Sequence, residues 1–258
     1  MNAMDIPPVI HDQLRLLSES ADAMERSWSI TADETERRFL FFFETTQASV
    51  QMVRTAARAL DVPEALIDAW GKALPSADAI GLAIRDDLQS VRLYTQYWDA
   101  LVSMVNNGMA GPALLYAGFK ALPDASTRID SYVCQPGADR REFMPDISAS
   151  LECFGAESEA VATAFADLSA SKCIFTRTAS EARKSWLATV RRAELSRTTM
   201  ATALTPITAR IPFGDEVARA AASSDMVHIA AGKDAAKGVF TTLYFESDAA
   251  ALEAFLNR

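Results

Sequence analysis

Histidine is nearly missing from this chain of 258 residues: only His11 and His228 are present. A His-rich metal centre or a Ser–His–Asp triad has little to build on, and His228 reads either as a satisfied barrel residue or as a lone base. Cysteine is almost as scarce. Cys134, Cys153 and Cys173 are odd in number, widely spaced and without a CxxC pair, which argues against a disulfide framework or a zinc site. Each reads as a small buried apolar residue. There is no GxGxxG, no GxxxxGK(S/T) and no GxSxG nucleophile elbow. No apolar run approaches the roughly 20 residues that cross a bilayer. The opening stretch MNAMDIPPVIHDQL lacks the basic segment and apolar core of a secretory signal. The expected compartment is the cytoplasm.

Positive charge is also in deficit. Lysine and arginine number 25 against 34 acidic residues, a formal net charge of −9. A field of that sign repels nucleic acid and anionic membranes, so neither is expected as a main partner, although a local basic pocket inside an acidic shell is allowed. What the chain has in ordinary amounts is core: 50 % hydrophobic and 23 % charged residues, enough at this length for one large domain.

A pattern repeats along it. After a helical segment in which Ile10, Leu14, Leu16 and Leu17 recur at helical spacing, a strand-like stretch, a polar turn, a second strand and an alanine-rich helix follow one another. The first unit pairs 27–32 with 38–44 (RFLFFFE), followed by helices from Thr46 and from Pro63. The second pairs 79–84 with 91–97 (VRLYTQY), and ALVSMVNNGM and GPALLYAGFKAL read as its helix. The third is expected at 128–134 and 147–153, with the helix ESEAVATAFADL. The fourth is expected at 172–178 and 185–191, with Pro206 and Pro212 as breakers of the helical stretch beyond. The fifth is expected at 227–231 and 239–246, with a last helix from Asp248. First-strand anchors fall at Ile30, Leu82, Ile129, Ile174 and Ile229, and regular spacing of this order marks a repeat architecture. The expected fold class is α+β: five ββα repeats closing a ten-stranded antiparallel β-barrel surrounded by helices. The expected domain is single, 1–258, with 1–26 as an N-terminal helical segment. Closure removes the two edges an open sheet would leave, and ten strands exceed the roughly eight whose interior side chains alone fill, so a lumen is expected. The alternative is a pair of open α+β sandwiches split near 123–126.

Five such units in this order resemble the ABBA, or PT-barrel, aromatic prenyltransferases. The sharpest local likeness is AIGLAIRDDLQSVRLYTQY, whose second strand carries Arg92 and Tyr94 as the family's basic-x-Tyr pair. Residues two apart on a strand share a face, so Arg92, Tyr94 and Gln96 point together, either into a lumen or, with Arg92 paired to Asp86 or Asp87, onto the surface. The resemblance implies an enzyme that moves a prenyl group from an allylic diphosphate to an electron-rich aromatic acceptor, a small molecule or a peptide side chain. It implies Arg92 on the diphosphate, with Arg38, Lys172 and Arg177 as further cations. Tyr94 and Tyr244 would shield the allylic cation, and Tyr132, Gln96 and Thr242 would line the pocket. Arg38 stands where several members have an acidic residue, so no metal ligand is expected there. No cofactor is required by the sequence, and Mg²⁺ is compatible with it. The family's third unit has a polar-x-Tyr pair on its second strand. DISAS, with Asp146 and Ser148, is nearest that place and has no tyrosine, which favours the alternative of a barrel that only binds a hydrophobic small molecule. The aspartate-rich motifs of the all-helical prenyl synthases are absent.

Overall fold

The computed structural model describes residues 6–136, 174–180, 182–191 and 196–256. Ten strands run β1 Ala23–Ile30, β2 Thr35–Glu44, β3 Ala79–Arg85, β4 Val91–Gln96, β5 Ala113–Ala121, β6 Thr127–Cys134, β7 Ile174–Ala179, β8 Arg183–Thr189, β9 Met226–Asp234 and β10 Gly238–Glu246. Each pairs antiparallel with its neighbour in sequence, and β1 pairs with β10. The sheet is one closed barrel, so the two-sandwich alternative is overturned. Among the described residues seven α-helices surround it: α1 Pro8–Ser20, α2 Gln47–Ala59, α3 Glu64–Ala73, α4 Trp98–Asn106, α5 Arg197–Thr208, α6 Gly214–Ser223 and α7 Ala249–Leu256.

The alternation of the strands builds two faces. On β2, Phe39, Phe41 and Phe43 point outward and are buried beneath α1, α2, α3 and α7, with Leu14, Val53, Ile67, Trp70 and Leu252. On the opposite side Trp28, Trp186, Ile229, Leu243 and Phe245 pack under α5 and α6 against Met200, Leu204, Val217 and Ala220. A buried side chain of this size contributes about 1.5–3 kcal/mol, so the barrel is held from outside by its helical coat. The helices are locally encoded. Thr46 caps α2 through Ser49 in a reciprocal box, and Asp248 Oδ1 accepts from the Ala251 amide, 2.8 Å away, at the start of α7.

Three sequence expectations are corrected. GPALLYAGFKAL is not helical. Ala113–Ala121 is β5, with Leu115, Ala117 and Phe119 outward and Tyr116, Gly118 and Lys120 inward. A run rich in leucine and alanine suits either period, and here pairing with β4 and β6 decides it. In consequence Thr127–Cys134 is the second strand of the third hairpin rather than its first, and Ile129, offered as a core anchor, is 55 % exposed. The strand expected at 147–153, the helix ESEAVATAFADL, Asp146 and Ser148 lie outside the described residues. Finally, α5 continues through Pro206 and ends two residues later, while Pro212 falls between α5 and α6. A proline this close to a C-terminus displaces only the last turn.

Candidate functional site

The inward faces of the strands line the lumen in two tiers. The tier toward the helix connections is aromatic. Leu40 and Phe42 of β2, Tyr94 of β4, Tyr116 of β5, Tyr132 of β6, Leu187 of β8, His228 of β9 and Tyr244 of β10 enclose a cavity, with Glu25 of β1 in its wall. Its rings meet at aromatic-pair distances. Phe42 and Tyr94 are 6.4 Å apart, Tyr116 and Tyr132 6.3 Å, and His228 and Tyr244 5.6 Å edge-to-face. The free volume is about 40 Å³, room for a few waters when one needs roughly 10–15 Å³.

The tier toward the hairpin turns is cationic. Arg38, Arg92 and Lys120 line a second cavity there with Ser27, Ala83 and Ser90, and the two cavities share Leu40, Tyr94 and Tyr244 as a common wall. By their register, Arg85, Arg128 and Arg183 face the same space from β3, β6 and β8. The carboxylates of this tier are committed. Glu36 pairs with Arg38, Arg85 and Lys237. Those cations outweigh the cost of burial and hold its carboxyl well below the usual range. Asp234 pairs with Arg128 at 3.1 Å. Asp130, fully buried, lies 3.1 Å from Arg128 Nε and 3.7 Å from Arg92 Nη2. Neither of its oxygens has an aligned hydrogen-bond partner among the described residues.

Arg92 stands between the tiers. Its Nη1 donates to the Tyr94 hydroxyl at 3.1 Å and to the Tyr132 hydroxyl at 2.8 Å. Burial works against its charge, but Tyr132, Tyr94 and Asp130 more than offset that, and the guanidinium stays ionised. Burial likewise keeps Tyr94 and Tyr244 protonated. Gly118 makes this packing fit. It sits opposite Tyr94 in the β4–β5 register, and a Cβ there would come within 3.2 Å of Arg92 Cδ and 3.3 Å of Tyr94 Cε1. From outside, Trp70 Nε1 of α3 donates to the Tyr94 carbonyl at 3.0 Å and fixes the strand.

Other expected residues fall out as follows. Arg92 points into the lumen, and the aspartates suggested as surface partners for it bind elsewhere, Asp86 to Arg37 and Asp87 to Arg85. Arg38, Tyr132, Thr242 and Tyr244 face the lumen, and Gln96 faces it at the helix-connection end of β4. Arg177 does not. It is exposed on the outer face of β7, in phase with buried Phe175 and opposite Trp186. Lys172 lies outside the described residues. The third hairpin does carry a polar-x-Tyr pair on its second strand, Asp130 and Tyr132, so the expected gap in the tyrosine set is not there. Lys120 is not among the expected site residues, because its strand reads as a helix in the sequence. The signal that finds it is the alternation Leu115, Ala117, Phe119 around Tyr116, Gly118, Lys120.

At the aromatic end, Glu25 Oε1 lies 3.5 Å from His228 Nε2, and His228 Nδ1 lies 3.0 Å from Thr189 Oγ1. Glu25 Oε2 is buried with no hydrogen-bond partner among the described residues. Among the described residues no group of three or more His, Cys, Asp and Glu forms a metal-ligand cluster, and no helix is long and apolar enough to cross a membrane.

A ten-stranded closed meander with a helical coat and a two-tier lumen has counterparts among solved structures. The apo form of the prenyltransferase PriB superposes with a TM-score of 0.56 at 15 % identity, over 92 % of this chain and 82 % of that one. The chain has the PT-barrel fold. AnaPT from Neosartorya fischeri (TM-score 0.48, 10 % identity, 86 % of this chain and 78 % of that one) is also similar. So is NotF in complex with brevianamide F and DMSPP (0.47, 10 %, 86 % and 79 %). No protein-family model and no curated protein matches the sequence. In this PT barrel the cationic and aromatic tiers share one lumen, with Leu40, Tyr94 and Tyr244 between them.

Proposed function

We propose that this PT barrel transfers a prenyl group from an allylic diphosphate to an electron-rich aromatic acceptor. The observation that carries the reading is the division of one lumen into a cationic tier and an aromatic tier, with Arg92, Tyr94 and Tyr244 at the boundary. The fold shared with the prenyltransferase PriB supports it. A diphosphate in the cationic tier would meet Arg92, Arg38 and Lys120, whose charges stabilise the leaving group as the allylic C–O bond breaks and its electron pair goes to oxygen. The allyl cation would then lie against Tyr94 and Tyr244, whose faces attract it and exclude water. The acceptor ring carbon attacks, forming the new C–C bond, and loses its proton to restore aromaticity. Glu25, with a free buried oxygen in the aromatic tier, is placed to accept a hydrogen bond from an acceptor N–H or O–H, or that ring proton. Tyr132 and Thr242 line the space between, and Gln96 its helix-connection end.

Phe42, Tyr94 and Tyr244 crowd the aromatic tier around a small cavity, which favours the shortest prenyl donors. The alternative of a barrel that only binds a hydrophobic molecule draws its support from a tyrosine missing in the third unit, and Tyr132 on the second strand of that hairpin takes the place. The test is incubation of the purified protein with dimethylallyl, geranyl and farnesyl diphosphates against indole and phenol acceptors, with products read by mass spectrometry. A prenylated product that Arg92→Ala abolishes is expected. Tight binding of an apolar ligand with no product from any donor would instead establish the binding-only reading.

A further inference from the structure

Lys120 sits buried in the cationic tier with no carboxylate to balance its charge among the described residues. It faces the lumen from β5, opposite Arg92 on β4 and Arg128 on β6, and is 8 % exposed. Arg38 of β2 and Lys237, between β9 and β10, add their charges from across the lumen. The nearby carboxylates are held by other cations, Glu36 by Arg38, Arg85 and Lys237, Asp130 by Arg92 and Arg128, and Asp234 by Arg128. No carboxylate among the described residues is within ion-pair distance of the Lys120 amine. A buried, unbalanced ammonium among guanidinium groups is costly, and the cheapest relief is loss of its proton.

We infer that a diphosphate enters this lumen together with a proton, which is taken from solvent by Lys120. The inference rests on the diphosphate reading above and adds to it the state of the site before and after binding. Before an anion binds, burial first and then Arg92, Arg38, Lys237 and Arg128 push the Lys120 amine down to about 6, so it is largely neutral at pH 7. A bound diphosphate places several negative charges among these cations and reverses the local field. The amine lone pair then takes a proton from water or buffer, an N–H bond forms, and the resulting ammonium joins Arg92 on the anion. Lys237 behaves differently. It keeps Glu36 as a partner and is lowered only to about 8, so at pH 7 it is already charged. The consequence is an affinity that falls as pH rises above about 6, because each bound anion must then draw its proton from a scarcer supply.

Calorimetric titration with inorganic pyrophosphate at pH 7, in buffers of differing ionisation enthalpy, counts the protons exchanged. Comparing wild type with Lys120→Arg cancels the titration of pyrophosphate itself, because the arginine is charged before and after. Wild type should take up about one proton more than Lys120→Arg, whose affinity should change less between pH 6 and pH 8. Lys120→Met, which has no charge to gain, should bind at least tenfold more weakly with the same proton count as Lys120→Arg. Equal proton counts in wild type and Lys120→Arg, with pyrophosphate bound by both, would overturn the inference and leave the diphosphate reading standing. No binding by wild type at any pH between 6 and 8 would overturn both. Circular dichroism of each variant establishes that the barrel is folded when it is titrated.

Discussion

Arg92 Nη1 lies 2.8 Å from the hydroxyl of Tyr132, a residue forty positions later and one hairpin further round the barrel. The same nitrogen donates to Tyr94 on its own strand. The guanidinium is therefore aimed by two phenols from neighbouring hairpins before any ligand arrives, the kind of preorganisation that lets a fixed charge act without rearrangement. Tyr132→Phe keeps the ring and removes one of the two acceptors. A net loss of about 1 kcal/mol is expected, seen as roughly fivefold weaker pyrophosphate binding by titration calorimetry with an unchanged circular dichroism spectrum. Unchanged affinity would mean that Tyr94 alone orients the arginine.

Gly118 provides the floor on which this cluster lies. Gly118→Val would drive a branched side chain into Arg92 and Tyr94, which already stand 3.2 and 3.3 Å from where a Cβ would be. Overpacking of this kind costs roughly 1–3 kcal/mol of stability. The effect on prenyl transfer should be larger than the effect on folding: a fall of at least tenfold in kcat/KM in a barrel that still melts cooperatively.

Lys120 should destabilise the protein at neutral pH when no anion is bound. Its amine is held at about 6 in the folded chain against the ordinary lysine value of 10.5, so between these values the unfolded chain binds the extra proton and stability rises with pH, by at most roughly 1.4 kcal/mol per unit. Below about pH 6 both states are protonated and the slope vanishes. Lys120→Met removes this group, so it should raise the urea midpoint at pH 7 and gain less at pH 10. A midpoint lowered at pH 7 would contradict the unbalanced-charge account.

Glu25 tests the acceptor side separately. Glu25→Gln keeps the shape but loses the charge beside His228, and a general base contributes typically 10²–10⁴-fold. Product formation should fall by about 100-fold while pyrophosphate affinity stays within twofold, since Glu25 lines the aromatic tier and not the cationic one. An equal loss of both would place Glu25 in barrel stability instead.

Much of this barrel is legible in the sequence because its outer face is so regular. RFLFFFE and AIGLAIR alternate plainly, and their hairpins are closed by short polar turns, so Arg92 and Tyr94 could be set on one face by counting. Arg38, Thr242 and Tyr244 follow in the same way. The failures have a common cause. ALLYAGFKA has small residues on both faces, so period two and period 3.6 fit it equally, and only cross-strand pairing decides. Reading it as helix shifted the third unit by one strand and hid Lys120 together with the true place of Tyr132. The neighbours that bury Lys120 and the commitment of Glu36 to other cations are long-range facts, invisible to any local pattern. Arg177 fails for a related reason: both faces of its strand carry polar residues, and the register opposite Trp186 turns it outward.

The central claim is that the cationic tier holds a diphosphate while the prenyl group lies between Tyr94 and Tyr244. A crystal structure with a non-reactive thiolo analogue of dimethylallyl diphosphate tests it most directly. The account predicts diphosphate oxygens within hydrogen-bond distance of Arg92 and Lys120, with the allyl carbons against the two tyrosine rings. An analogue bound outside the lumen, or inverted with its diphosphate beside Glu25 and His228, would contradict it.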